Sequence, residues 1–198
     1  MILKKLAISI IATGALIFGS GAQANTYSFG QLLSGGGPAN VHFADLSVTD
    51  DGGGNWTFTL TTLDLNAIFG TDSFIGSMAV DGTKPSSSST DLGGGVTVVD
   101  PKNGGGPGGS FDFRYDFGSG GASDRLTANE SVTWHVGGLG SDPLPIDGQL
   151  ALHVQATKFA PDSAWYVSPV PEPETYAMLL AGLGLLGFMA RRRKESAM

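Results

Sequence analysis

Phe111-Asp112-Phe113-Arg114-Tyr115-Asp116-Phe117 alternates aromatic and charged residues without a break. Successive side chains of a β-strand point to opposite faces, so the four rings share one face and the three charges share the other. A half-buried antiparallel strand is what this pattern specifies. The same period of two recurs on both sides of it. Residues 56–61, Trp-Thr-Phe-Thr-Leu-Thr, repeat it, and so do residues 41–48, 132–136 and 150–156. Shorter extended pieces are expected at 27–29, 73–81, 95–99 and 165–167. The strand positions of Trp56 and Trp134 point to the core, whereas nothing in the pattern places Trp165.

The segments between these runs are rich in turn formers. Asp50-Asp51-Gly52-Gly53-Gly54-Asn55 reads as the enlarged turn of a hairpin joining the runs on either side. Residues 63–70 fit a strand end or a single helical turn. Residues 84–90, with four serines in a row, read as an exposed loop. Gly104-Gly105-Gly106-Pro107-Gly108-Gly109 reads as a flexible loop with no core-forming side chain. A Gly/Pro/Asp-rich connection between 132–136 and 150–156 is expected to close a second hairpin. About eight short strands at near-regular spacing predict an all-β fold, an antiparallel two-sheet β-sandwich of jelly-roll type. No internal repeat of fixed period argues for a solenoid or propeller.

Charge narrows the partners. Of eleven Lys and Arg residues, six lie near the two ends (Lys4, Lys5 and 191–194), which leaves five for the body. Of eighteen Asp and Glu residues, Glu172, Glu174 and Glu195 lie in the C-terminal stretch, which leaves fifteen and a body charge of about −10. Such a surface repels nucleic acid and anionic lipid. There is no cysteine, so the core must hold without disulfides.

The two ends are apolar. Lys4-Lys5, the apolar residues 6–18 and Ala22-Gln23-Ala24 form a secretory signal peptide with an A-x-A site, cleaved after Ala24. At the other end stand Pro171-Glu172-Pro173, an apolar run and Arg191-Arg192-Arg193-Lys194. The prolines exclude helix and present Glu172 on an extended strip. Thr175 caps the helix that follows. Residues 176–190 are fifteen uncharged residues, or about 22 Å of helix. A hydrocarbon core is about 30 Å, so this helix spans with help from the basic cluster, whose long stems snorkel. Tyr176 suits the outer interface, and the positive-inside rule places residues 191–198 in the cytoplasm. The run Gly182-Leu183-Gly184-Leu185-Leu186-Gly187 matches G-x-G-x-x-G by letter only, because it lies inside the helix with no βαβ context.

This C-terminal stretch resembles the PEP-CTERM sorting tail of exported Gram-negative bacterial proteins. The resemblance implies anchoring in the inner membrane, recognition of Pro171, Glu172 and Pro173 by an exosortase, and a stop-transfer role for Arg191, Arg192, Arg193 and Lys194. The expected organisation is a signal peptide at 1–24, a β-sandwich body at 25–160 and a proline-rich linker at 161–174. A transmembrane helix at 175–190 and a basic cytoplasmic tail at 191–198 complete it. Signal peptidase and exosortase are the expected processing partners, and the cell surface or extracellular matrix is the destination.

The body offers little catalytic chemistry. It has no G-x-S-x-G elbow, no cysteine nucleophile and one glutamate, Glu130. His135 and His153 fall on the polar faces of two strands expected to pair, but no third ligand is spaced for a metal, and single surface histidines are the stronger reading. Asp50, Asp51 and Asn55 could offer oxygens to calcium, yet the EF-hand pattern is missing. No cofactor and no catalytic residue is assigned. The resemblance implies a structural surface protein associated with exopolysaccharide or biofilm, not an enzyme. The alternative is a carbohydrate-binding module or weak glycan-active enzyme on the same sandwich. Aromatic residues lining the sheet would favour binding, and a carboxylate pair in a cleft would favour catalysis.

Overall fold

The computed structural model describes residues 24–85, 96, 101–109, 111–118, 121–139, 149–168 and 182–183. Among these residues nine strands and one short α-helix follow in order: β1 (Ala24–Gly35), β2 (Asn40–Gly52), β3 (Asn55–Thr62), α1 (Leu65–Phe69), β4 (Phe74–Val80), β5 (Lys102–Gly105), β6 (Phe111–Asp116), β7 (Ser131–Gly137), β8 (Leu150–Gln155) and β9 (Ser163–Val167), with 3-10 turns at Pro107–Gly109 and Ala122–Asp124. Every strand pairing is antiparallel, as alternation predicts.

The strands do not divide into two separately bonded sheets. They form one nine-stranded sheet in the order β5-β6-β4-β8-β9-β1-β2-β3-β7. Its ends nevertheless meet. Trp134 on the edge strand β7 lies 5.4 Å from Tyr115 and 5.7 Å from Phe117, at the far end of the sheet around β6. A flat sheet would hold β6 and β7 seven strand spacings apart, roughly 33 Å. The sheet is therefore curled, with one face turned inward around a single main core.

That core is the inward phase of each alternation. Trp56, Phe58 and Leu60 from β3 meet Val132, Trp134 and Val136 from β7, and all six are buried. Each such side chain, fully buried, stabilises the fold by about 1.5–3 kcal/mol. The hairpin of β2 and β3 forms, with Leu46 opposite Leu60 and Val48 opposite Phe58. Its turn is tighter than the enlarged loop expected at 50–55, because Gly52 pairs with Asn55 and only Gly53 and Gly54 lie between the strands. Residues 63–70 resolve into a helical turn. Asp64 accepts from the Ala67 amide at 3.1 Å as its cap, and Leu65 and Phe69 plug one end of the core. Phe69 meets Phe43 at 5.1 Å and Tyr166 at 5.4 Å, both edge to face.

Four expectations need correction. First, β7 and β8 form no hairpin: β7 pairs with β3, while β8 lies between β4 and β9. Second, the glycine-rich run is not simply a loop. Lys102–Gly105 pairs with β6, a ladder made by backbone groups that needs no side chain. Third, β9 sits between β8 and β1, so the folded body extends beyond residue 160. Fourth, although Phe111, Phe113, Tyr115 and Phe117 are all buried, Phe111 leaves the main core for a smaller cluster with Ala79, Ala151 and Val167. Those three residues alternate with core residues Val80, Leu152 and Tyr166, so this cluster lies on the opposite face. The strand expected at 95–99 lies outside the described residues apart from Val96, which is buried. The loop at 84–90 does so beyond Pro85.

Candidate functional site

The outward face of β6, β4, β8 and β9 carries a groove of about 630 Å³. Register explains its contents. Asp116 is the cross-strand partner of Ser77, Ser77 of His153, and His153 of Trp165. These four residues therefore form one row across four neighbouring strands, on the face opposite the core. Ser77 and Gly76 keep the floor low in the middle of the row. Gly105 and Gly106 keep the β5 wall back. A Cβ on Gly105 would approach the Arg114 Cβ to 2.8 Å, and one on Gly106, which also has a φ of +73°, would overlap the Phe111 ring.

His153 and Trp165 are stacked, with centroids 4.4 Å apart and planes 3° from parallel. Both are half-buried. The Gln155 amide donates to His153 Nδ1 at 2.9 Å, which leaves the ring proton on Nε2. Burial, then the nearby Arg114 charge, lowers the His153 pKa below its ordinary value, so the ring is neutral at pH 7. Arg114 Nε donates to Asp116 at 2.7 Å and Lys102 Nζ donates to it at 2.9 Å. Burial alone would raise the Asp116 pKa, but these two cations outweigh it and hold the carboxyl below its ordinary range. At the other rim the Arg125 guanidinium lies 4.2 Å over the Phe74 ring. The groove thus combines an aromatic slab, amide and hydroxyl groups, and fixed cations.

Other sequence candidates are scattered. His135 and His153 are not brought together. His135 Nδ1 bonds Thr57 Oγ1 at 2.8 Å on the β3–β7 side of the sheet. Asp51 accepts from that same Thr57 hydroxyl at 2.6 Å, and Asp50 accepts from the Gly52 amide. Asn55 donates to the Gly52 carbonyl. The first hairpin turn thus uses these polar groups to hold itself. Among the described residues no group of three or more His, Asp or Glu side chains is arranged to hold a metal. Trp56 and Trp134 are buried, as expected. The alternation puts His153 on a polar face, whereas Trp165 is placed only by the structure. Each stands on the outward beat between core residues, Ala164 and Tyr166 for one, Leu152 and Val154 for the other.

Ala24, the last residue of the expected signal peptide, opens β1 opposite Thr49. Ala22, Pro171, Glu172, Pro173 and Arg191, Arg192, Arg193 and Lys194 lie outside the described residues, and only Gly182 and Leu183 of the apolar run, both helical, lie within them. Among the described residues no helix is long and apolar enough to cross a membrane.

Residues 169–194 match the PEP-CTERM protein-sorting motif. The PEP-CTERM motif spans the Pro171-Glu172-Pro173 strip, the apolar run and the basic cluster in one continuous match. It supports an exported protein that an exosortase processes and that is sorted to the cell surface. No curated protein and no solved structure matches the chain.

Proposed function

We propose that the chain is a non-enzymatic structural protein of the extracellular polysaccharide or biofilm layer. The observation that carries this reading is the sorting motif at 169–194. Signal peptidase would cut after Ala24. The helix at 175–190 would hold an inner-membrane intermediate, and Arg191 to Lys194 would stop transfer with the Pro-Glu-Pro strip near the outer face. The exosortase would then release the curled-sheet body.

Processing is tested by mass spectrometry of the surface-exposed protein. Wild-type cells should yield a form lacking everything from about the tripeptide onward. Alanine at 171, 172 and 173 should trap a full-length, membrane-bound species. An intact terminus at Met198 in the wild-type surface form would reduce the tail to an ordinary anchor.

A second reading is favoured by the row His153–Trp165. An aromatic slab in a polar groove fits a carbohydrate-binding module better than an enzyme, because Asp116 is held by two cations rather than poised as an acid or base.

A further inference from the structure

We propose that the groove on β6, β4, β8 and β9 is a subsite for a carboxylate-bearing sugar ring, a uronate within an acidic polysaccharide. The inference rests on the carbohydrate-binding reading and adds the charge of the sugar. The distribution of cations carries it. Residues 25–168 contain only five, namely Lys84, Lys102, Arg114, Arg125 and Lys158, against fifteen carboxylates. Arg114 and Arg125 line the groove, and Lys102 reaches it through Asp116. Among the described residues the carboxylates here are Asp116, which lines the groove, and Asp124, whose Oδ1 lies 3.5 Å from where a Cβ on Gly118 would stand. Three cations face two anions, so the groove is a positive spot on a strongly negative body.

The geometry divides the work. His153 and Trp165 stand side by side, and their order across the strands turns the open face of the His153 ring toward the low floor at Ser77. A neutral imidazole backed by an indole offers a π-face to the apolar C–H side of a pyranose. Asp116 takes the Nε–Nη2 edge of Arg114, at 2.7 and 3.5 Å, and not Nη1. A carboxylate arriving from the floor meets the guanidinium on that remaining edge, where paired N–H donors match two oxygens. Asp116 thereby fixes the fork and does not itself bind the anion. Gln155 holds the imidazole upright and offers amide groups to ring hydroxyls.

The test is titration of the full-length chain with galacturonate and mannuronate oligomers, each beside its methyl ester, read by tryptophan fluorescence and calorimetry. The acid forms should bind, and the esters, which keep the ring and lose the charge, should bind at least about tenfold more weakly. Arg114→Gln should remove that difference and Arg114→Lys should restore part of it. Trp165→Phe should abolish the fluorescence change, because Trp56 and Trp134 are buried. If Arg114→Gln fails to fold, Arg114→Lys carries the comparison, and a preference for acid over ester unchanged from wild type would overturn the assignment. Acid and ester binding alike would overturn the uronate subsite and leave glycan binding standing. No binding of any oligomer would overturn both.

Discussion

Replacing Trp134 with alanine tests the curl of the sheet. Its side chain is fully buried and touches three rings: Phe58 at 5.3 Å, nearly stacked, and Tyr115 and Phe117 from the far end of the sheet. Truncating a buried Trp costs about 3–5 kcal/mol when the cavity does not collapse. Ring pairs add about 0.5–1.5 kcal/mol each beyond area. Two of the three contacts close the sheet on itself, which places the expected loss at the upper end, about 5 kcal/mol. Against a total stability of about 5–15 kcal/mol, that removes a third or more. The melting temperature should fall by roughly 10–20 °C. Thr133→Ala, one residue away on the outward face, removes a hydroxyl contact with Thr59 and should cost under about 1 kcal/mol. Urea unfolding followed by far-UV circular dichroism, which does not depend on the lost indole, measures both. Equal and small losses would mean that β6 and β7 do not meet and the sheet is open.

Phe113→Ala should cost about 3–5 kcal/mol, because Phe113 lies in the main core. Asp112→Ala loses only an exposed bond to the Gly82 amide and should cost under about 1 kcal/mol; the same unfolding assay separates them. His153, packed by Trp165, Gln155 and the Arg114–Asp116 pair, binds its proton less readily folded than unfolded. Its contribution is therefore fully present above the ordinary value of 6.5 and is lost as pH falls from there toward the depressed folded pKa. Asp116 adds a second, lower window, with stability present above 3.8 and lost as pH falls through its lowered pKa. Melting temperatures at pH 7.5 and 5.0 should differ less in His153→Gln than in the wild type, and an unchanged difference would contradict the assignment.

Local geometry was legible in the chain because alternation is a local code. Trp56, Phe58 and Leu60 declare one face of β3 whichever strand lies beside them. Partner choice is not written locally. Nothing in Val132-Thr133-Trp134-His135-Val136 says that β3 rather than β8 lies alongside, since both offer the same phase. The strand at Lys102–Gly105 was illegible for a different reason. Its pairing with β6 is made of backbone bonds, and glycines carry no pattern to read. The groove is not legible in the chain because Asp116, Ser77, His153 and Trp165 come from four strands and become neighbours only through register. The sorting tail was the reverse case. Its information is linear, so order and composition sufficed.

The place of β9 has a mechanical consequence. Residues after Ser168 lead to the sorting tail, so a pull on that tail enters the body along β9. This strand is internal, bonded to β8 over five residue pairs and to β1 over four. The load runs parallel to both antiparallel partners, so the two ladders resist in shear, with their bonds sharing the force. An edge strand would instead peel away one bond at a time. A body pulled from its C-terminal side is thus gripped through the middle of its sheet, and β5 and β7, the edge strands among the described residues, are not on the line of force.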